Sequence, residues 1–290
     1  MTLNVVEGLE PARRALADLR ARGGRVAFVP TMGALHDGHL SLCRRGRERA
    51  DAVVASIFVN PLQFGPGEDL ESYPRDLAGD AAKLESAGVD LLFTMQAAEM
   101  YPPEFSTHVE VGGSLIDGLC AGSRPGHFRG VTTVVAKLFG IVRPDLALFG
   151  QKDLQQALVL RRMTTDLDLG VELVICPTIR EPDGLAMSSR NAYLSVTERE
   201  SALKLIRGLR AAISSYESGE RNAMALADLV RGDSSAHPEI EWDYVEVRRL
   251  PDLSRFESGA VTSPLAVLCA ARLGRARLID NLVHPDDALA

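Results

Sequence analysis

Up to about residue 178 the chain alternates between two hydropathy textures. Short runs dense in Val, Ile, Leu and Phe, each closed by Gly or Pro, give way to longer stretches in which apolar residues recur every three or four positions. The runs RVAFVP (25–30), AVVASIFV (52–59), VDLLFT (89–94), LALFG (146–150) and VELVICP (171–177) predict strands covered on both faces. LSLCRRGRERA (40–50), DLAGDAAKLESAG (76–88), TTVVAKLFGIV (132–142) and LQQALVLRRMTTDL (154–167) predict the helices between them. Strand and helix in alternation predict βαβ units, hence an α/β, Rossmann-like parallel sheet with helices on both faces. In such a sheet ligands gather beyond the carboxyl ends of the strands.

The texture then changes. After CPTIREPDGLAMSSRNAYLS come two charged amphipathic helices, near 196–217 and 221–232, and the strand-like runs WDYVEV (242–247), LAVLCAA (265–271) and RARLID (275–280). These predict a smaller C-terminal α+β domain that acts as a lid. Pro177 and Pro182 flank the change, which places the domains at 1–178 and 179–290. The tail HPDDALA is expected to fray.

Composition narrows the possible partners. With 290 residues, 46% of them apolar, the chain can fill two cores. Its 32 basic and 39 acidic residues leave a net charge of -7, which disfavours a nucleic-acid partner. Cys43, Cys120, Cys176 and Cys269 lie far apart and form no C-x-x-C pair, which fits a reduced, cytoplasmic protein. No uninterrupted apolar run approaches the roughly 18 residues of a membrane span, so neither a membrane association nor export is expected.

Four polar stretches fall where predicted strands end. In VPTMGALHDGHLSL, Thr31 to Gly33 turn the chain, Asp37-Gly38 turn it again, and His39 stands where the next helix should begin. A helix N-terminus offers unpaired N–H groups and partial positive charge, and an imidazole can add a donor to the same anion. Phosphate binding, a capped turn without chemistry and a metal site all remain open. The metal reading lacks a third ligand, and Gly38 is expected to interrupt the helix that would bring His36 and His39 together. In FVNPLQFGPGEDL, Asn60 and Gln63 are amides suited to hydroxyls and carboxylates, or alternatively an Asn-Pro turn and a surface glutamine. The GPGED that follows resembles a mobile lid loop. FGQKDLQQ offers Gly150 for close backbone approach, Lys152 as a mobile charge, and Asp153 as a helix cap or a partner for phosphate-bound magnesium. Gln155 and Gln156 address different sides of the helix, so one of them enters the site. DGLAMSSRN supplies two hydroxyls and an arginine, a donor cluster for phosphate oxygens or an ordinary serine-rich loop.

Taken together, PTMGALHDGHL, SIFVNPLQF, SRPGHFRGV, FGQKDLQQ and DGLAMSSRN, in this order and with LGRARLIDN near the end, resemble the pantothenate synthetase (pantoate–β-alanine ligase) family over almost the whole chain. That family lies within the nucleotidyltransferases in which an H-x-G-H element and a second basic loop embrace ATP; here HDGH and MSSR would be the two elements. The resemblance implies condensation of (R)-pantoate with β-alanine at the expense of MgATP, by way of pantoyl adenylate, giving pantothenate, AMP and pyrophosphate. It assigns Met32, Gly33, Ala34, Leu35, His36, Asp37, Gly38 and His39 to the ATP site, with His36 and His39 donating to phosphate. His39, His36, Lys152 and Arg190 become the catalytic candidates. Gly150, Gln151, Lys152, Asp153, Met187, Ser188, Ser189 and Arg190 would enclose the nucleotide, and Ile179 would meet adenine through its backbone. Gln63 and Gln156 would hold pantoate with Asn60 as a further partner, and Asp153 would organise magnesium. His127 and Arg129 match the family without an assigned role. A homodimer is also implied. The rival readings are a nucleotidyltransferase with a phosphate acceptor, a nucleotide-sensing module and a metallohydrolase.

Overall fold

The structure, a computed structural model, describes residues 2–65, 67–68, 70–71, 73–233, 237–257 and 260–289. In chain order its elements are β1 (Asn4–Glu7), α1 (Leu9–Ala21), β2 (Val26–Thr31), α2 (Asp37–Arg49), β3 (Ala52–Ile57), α3 (Leu77–Ser86), β4 (Leu91–Thr94), α4 (Ala97–Met100), α5 (Leu119–Ser123), α6 (His127–Val142), β5 (Leu146–Gly150), α7 (Leu154–Asp166), β6 (Glu172–Cys176), α8 (Val196–Glu217), α9 (Ala223–Arg231), β7 (Glu241–Arg249), β8 (Leu265–Leu273) and β9 (Ala276–His284). Two compact units divide the chain. The first comprises Met1–Val111, Arg124–Gly150 and Val159–Cys176, and the second Gly112–Ser123, Gln151–Leu158 and Pro177–Ala290.

The first unit is built on a six-stranded sheet in the order β1-β4-β3-β2-β5-β6, parallel throughout. Its central strands are apolar on both sides because both sides are covered. On one face Ala27 and Val29 of β2 pack with Leu40 and Cys43 of α2 and Leu84 of α3. On the other, Phe28 stacks on Phe93 at 6.2 Å and meets the ring of Phe139 of α6 edge-on at 6.5 Å. Burial of such a side chain contributes about 1.5–3 kcal/mol. The strand order runs one way from β2 through β3 and β4 and the other way through β5 and β6. The crevice where the order reverses therefore lies beyond the carboxyl ends of β2 and β5.

Three sequence expectations are revised here. A sixth strand, β1, occupies an edge; with four residues, three of them exposed, it carries too little apolar pattern to stand out. Helix α2 begins at Asp37, ahead of His39, so Gly38 lies within its first turn. Helix α6 begins at His127, five residues ahead of the expected start, after Gly126 at φ 80°; Gly130 in its first turn disguises it, since glycine is a poor helix former.

In the second unit an antiparallel sheet, β7-β8-β9, is covered by α8 and α9. Leu205, Leu209 and Val230 from the helices pack with Val245, Val267, Cys269 and Leu278 from the strands. Ser195 caps α8 reciprocally with Glu198, each side chain accepting the other's backbone N–H. The segment carrying α5 is fastened by Arg248 of β7, which is wholly buried. Its guanidinium donates to Asp117 O (2.8 Å), Leu253 O (2.9 Å) and the Glu246 carboxylate (2.7 Å). The tail does not fray as expected: Leu289 is buried, and only Ala290 lies outside the described residues. Among the described residues no helix is long and apolar enough to cross a membrane.

Candidate active site

In the first unit the chain leaves β2 through a tight turn that needs left-handed backbone at Gly33 (φ 87°) and Ala34 (φ 51°). A Cβ at Gly33 would stand 3.2 Å from both Asp80 Oδ2 and Ile57 Cγ2. Asp80 of α3, 1% exposed, accepts the N–H groups of Ala34 (2.8 Å) and Leu35 (2.9 Å), while Lys83 donates to Leu35 O (2.8 Å). These bonds aim the chain so that His36 becomes the residue capping α2.

His36 N–H donates to His39 Nδ1 at 3.4 Å, and the two rings lie 4.1 Å apart. The expectation that Gly38 keeps the histidines apart is thus corrected: with α2 starting at Asp37, both belong to one helical turn. An Nδ1 that accepts a hydrogen bond puts the proton of neutral His39 on Nε2, which is then a donor. The metal reading finds no support, because the described residues contain no group of three His, Cys, Asp or Glu side chains able to hold an ion.

Beyond β3, Asn60 begins a 3₁₀ turn over Pro61–Gln63. Asn60 was expected to touch a ligand, yet its own neighbours occupy its side chain. Its Nδ2 donates to Gln63 Oε1 (3.0 Å) and Gly130 O (3.1 Å), and its Oδ1 accepts from Leu62 N (3.2 Å) and Tyr101 Oη (2.8 Å). Two donors and two acceptor positions exhaust the amide, so its observed part is to orient Gln63. Gln63 Nε2 lies 3.1 Å from Met32 Sδ, which joins this turn to the one after β2. Burial pushes the Tyr101 phenol above its usual range, which keeps it a neutral donor.

The SRPGHFRGV stretch braces the same turn. His127 Nδ1 is 2.8 Å from Gln63 O, and its Nε2 is 3.0 Å from Arg124 Nη1. The carbonyl can only accept and the guanidinium can only donate, so His127 is the neutral Nδ1–H tautomer. Arg124 also grips Glu68 with two bonds of 2.7 Å. Burial by itself raises the Glu68 carboxyl, but the Arg124 hydrogen bonds and charge, with the Gly65 N–H, outweigh it and hold the carboxyl below its ordinary value. Of the expected GPGED lid loop, Pro66 and Asp69 lie outside the described residues. Arg129 is exposed.

The second unit carries the remaining candidates. Gln151–Asp153 form a 3₁₀ turn leading into α7, with Lys152 Nζ 3.8 Å from the half-exposed Asp153 carboxylate. Gln155 is buried, accepting from Cys120 N (2.9 Å) and donating to Leu115 O (2.9 Å), whereas its neighbour Gln156 is partly exposed. Ile179 to Met187 form a hairpin in which Met187 N–H donates to Ile179 O at 3.0 Å. Ser188 accepts from Arg190 N (3.2 Å), and Met187, Ser188, Ser189 and Arg190 are all half-buried. Gly150, which ends β5, lies in the first unit opposite Cys176. Sequence reading missed Asp80, Tyr101, Arg124 and Glu68, and also Arg180, Asp280 and Asn281. Asp80 and Tyr101 had no local signal, while Arg124, Asp280 and Asn281 stand inside the motifs SRPGHFRGV and LGRARLIDN.

The family model for pantoate-beta-alanine ligase matches residues 4–283. The chain belongs to the pantoate-beta-alanine ligase family. A pantothenate synthetase of Syntrophotalea carbinolica is 51% identical over 282 residues, 96% of this chain and 98% of that protein. The crystal structure of pantothenate synthetase from Thermus thermophilus superposes with a TM-score of 0.90 at 46% identity, covering 96% of this chain and 98% of that one. Pantoate-beta-alanine ligase from Francisella tularensis, crystallised with beta-gamma ATP and β-alanine, matches at a TM-score of 0.79 and 31% identity over 97% of both chains. These likenesses run through both units of this pantoate-beta-alanine ligase family member, and the match begins at Asn4, where β1 starts.

Proposed function

We propose that this chain joins (R)-pantoate to β-alanine, converting ATP to AMP and pyrophosphate. What carries the reading is the pair of imidazoles at the N-terminus of α2, His36 as its cap and His39 in its first turn, at the carboxyl end of β2, in a chain whose match to the ligase family spans 4–283. In the first half-reaction a carboxylate oxygen of pantoate attacks the α-phosphorus of ATP. An O–P bond forms, the bond to the bridging oxygen breaks, and pyrophosphate leaves with its electron pair. In the second, the β-alanine amine attacks the acyl carbon of pantoyl adenylate, AMP departs, and the amine loses a proton. A bare carboxylate is a poor acyl donor because oxide would have to leave, whereas AMP is a stable anion; the protein's task is to orient, neutralise charge and exclude water.

The roles of the residues follow from their settings. His39, with Nδ1 turned to His36 N–H, donates from Nε2 to a phosphate oxygen as charge builds, and His36 assists from the helix cap. Met32 to His39 would meet ATP from the first unit. Gly150, Gln151, Lys152, Asp153, Ile179 and Met187 to Arg190 are the further nucleotide candidates that the family likeness suggests. Lys152 and Arg190 offset the triphosphate charge. Gln63 and Gln156 are the candidates for pantoate, and their neutral amides favour a carboxylate acceptor over the phosphate acceptor of the rival transferases. Asp153 is the carboxylate put forward for magnesium; it is half-exposed beside Lys152, a donor set that fits an ion carried by the nucleotide and water. Bound there, magnesium would neutralise the pyrophosphate.

Four buried free thiols support a cytoplasmic location, and family likeness supports a homodimer, which light scattering of the purified protein tests. The deciding experiment is exchange of labelled pyrophosphate into ATP without β-alanine. Pantoate-dependent exchange is expected; exchange that ignores pantoate but responds to a phosphate-bearing acceptor overturns the reading.

A further inference from the structure

Two adjacent residues of β9, Asp280 and Asn281, are 4% and 2% exposed, and each is spent on a different loop of the second unit. Asn281 Nδ2 donates to two consecutive carbonyls, Gln151 O at 2.9 Å and Lys152 O at 3.0 Å, and its Oδ1 accepts from Gln151 Nε2 at 3.3 Å. The Asp280 carboxylate takes the Arg180 guanidinium in a two-bond fork, 2.7 and 2.9 Å, and accepts the Asn281 N–H at 2.8 Å. Arg180 in turn donates to Gly184 O (3.2 Å) and pairs with Ala186 across the hairpin that leads to Met187–Arg190. One dipeptide thus fastens the backbone that carries Lys152 and the base of the hairpin that carries Ser188, Ser189 and Arg190.

We propose that Asp280 and Asn281 are positioning residues for adenylate formation, setting Lys152 and the Met187–Arg190 loop in fixed register so that both meet one triphosphate. The inference rests on the function proposed above. An amide with two hydrogens is suited to holding two neighbouring carbonyls, and a forked carboxylate–guanidinium pair fixes both distance and plane. A buried ion pair adds little net stability against its desolvation, so what this pair supplies is orientation. Reacting groups misplaced by about 1 Å can lose about a hundredfold in rate.

The test is Asn281→Asp, which turns a carboxylate oxygen toward the two carbonyls, assayed by pantoate-dependent pyrophosphate exchange per folded molecule. Exchange by the parent enzyme establishes the underlying function first, so a parent that fails speaks against that function and not against the positioning role. The expected result is kcat lower by at least about tenfold with a raised KM for ATP, while the KM for pantoate stays within about twofold. In a Lys152→Ala background the same change should add less than about twofold, because Asn281 acts through Lys152. Asp280→Asn should likewise be non-additive with Arg190→Ala. Parent-like constants in the folded fraction, or effects that multiply fully in both double variants, overturn the proposal. Should Asn281→Asp be recovered unfolded, Asn281→Ser, which brings no charge, carries the same measurements.

Discussion

Gly130→Ala is a one-methyl test of how Gln63 is positioned. The first turn of α6 presses so closely on the Pro61–Gln63 turn that a Cβ on residue 130 would lie 2.2 Å from Leu62 O, 2.5 Å from Leu62 C and 2.7 Å from Gln63 N. All three atoms are backbone, so no side chain can rotate aside. To bring the oxygen to 3.0 Å, the shortest separation real Cβ atoms reach, the turn must recede by about 0.8 Å. That movement also stretches the Asn60 Nδ2 to Gly130 O bond, now 3.1 Å, and with it the Asn60 grip on Gln63. Overpacking of this kind costs roughly 1–3 kcal/mol, and a displacement near 1 Å in a substrate-holding group costs up to about a hundredfold in rate. Thermal unfolding should therefore fall by several degrees, and the KM for pantoate in pyrophosphate exchange should rise much more than that for ATP. A variant with the parent melting temperature and the parent pantoate KM would show that the α6 contact does not set the position of Gln63.

Further outcomes follow from other contacts. Asp80→Asn keeps shape but turns an N–H₂ toward one of the two backbone donors it now accepts, so it should cost about 1–3 kcal/mol in denaturant unfolding and weaken ATP binding before pantoate binding; an unchanged midpoint would refute the role of Asp80 in the turn. His39→Gln should retain more activity than His39→Ala, whose loss is expected at about 10²–10³-fold, because the glutamine amide can stand in for the Nε2 donor; equal losses, with a bell-shaped pH profile abolished in both, point to full proton transfer instead. Burial pushes the Cys43 thiol from 9.0 up to about 12. The unfolded thiol ionises first, so the unfolded state binds fewer protons above pH 9, and this contribution, complete below pH 9, declines by about 1.4 kcal/mol per pH unit until pH 12. Cys43→Ala should flatten that alkaline decline, and an identical pH slope in parent and variant would contradict it.

The sequence was most legible where burial on both faces writes a dense apolar run. The strand over 146–150 was expected with the bounds it has, and the long helix α8 likewise. Elements that owe their place to a neighbour were hidden: β1 has four residues against β4, and the start of α6 is read only once Gly130 is seen pressed on Leu62. The site divides in the same way. Candidate residues in polar loops after strands, such as His36, Lys152 and Arg190, stand out in the sequence. The groups that aim them do so from afar, as Asp80 serves Ala34 from 46 positions away and Asn281 serves Lys152 from 129. For Asn60 the sequence left two readings open, a ligand amide or an Asn-Pro turn, and the structure shows the turn, with its four hydrogen-bonding positions taken inside the fold.

Fully buried Arg248 has a bearing on the order in which the protein can be made. Its main partners besides Glu246 and Leu253 are on Asp117, in a segment synthesised long before β7, and Gln155 is likewise held by Leu115 and Cys120 of that early segment. During translation, residues 112–123 and 151–158 leave the ribosome with no sheet yet to receive them, and the second unit closes only when its last strands arrive. A fragment expressed from Pro177 onward would keep the Glu246 and Leu253 partners of Arg248 but lack Asp117, leaving part of its guanidinium without the acceptors it has here. Truncation, circular permutation and domain exchange in this enzyme must therefore carry those two early segments along with the C-terminal residues, or supply replacements for them.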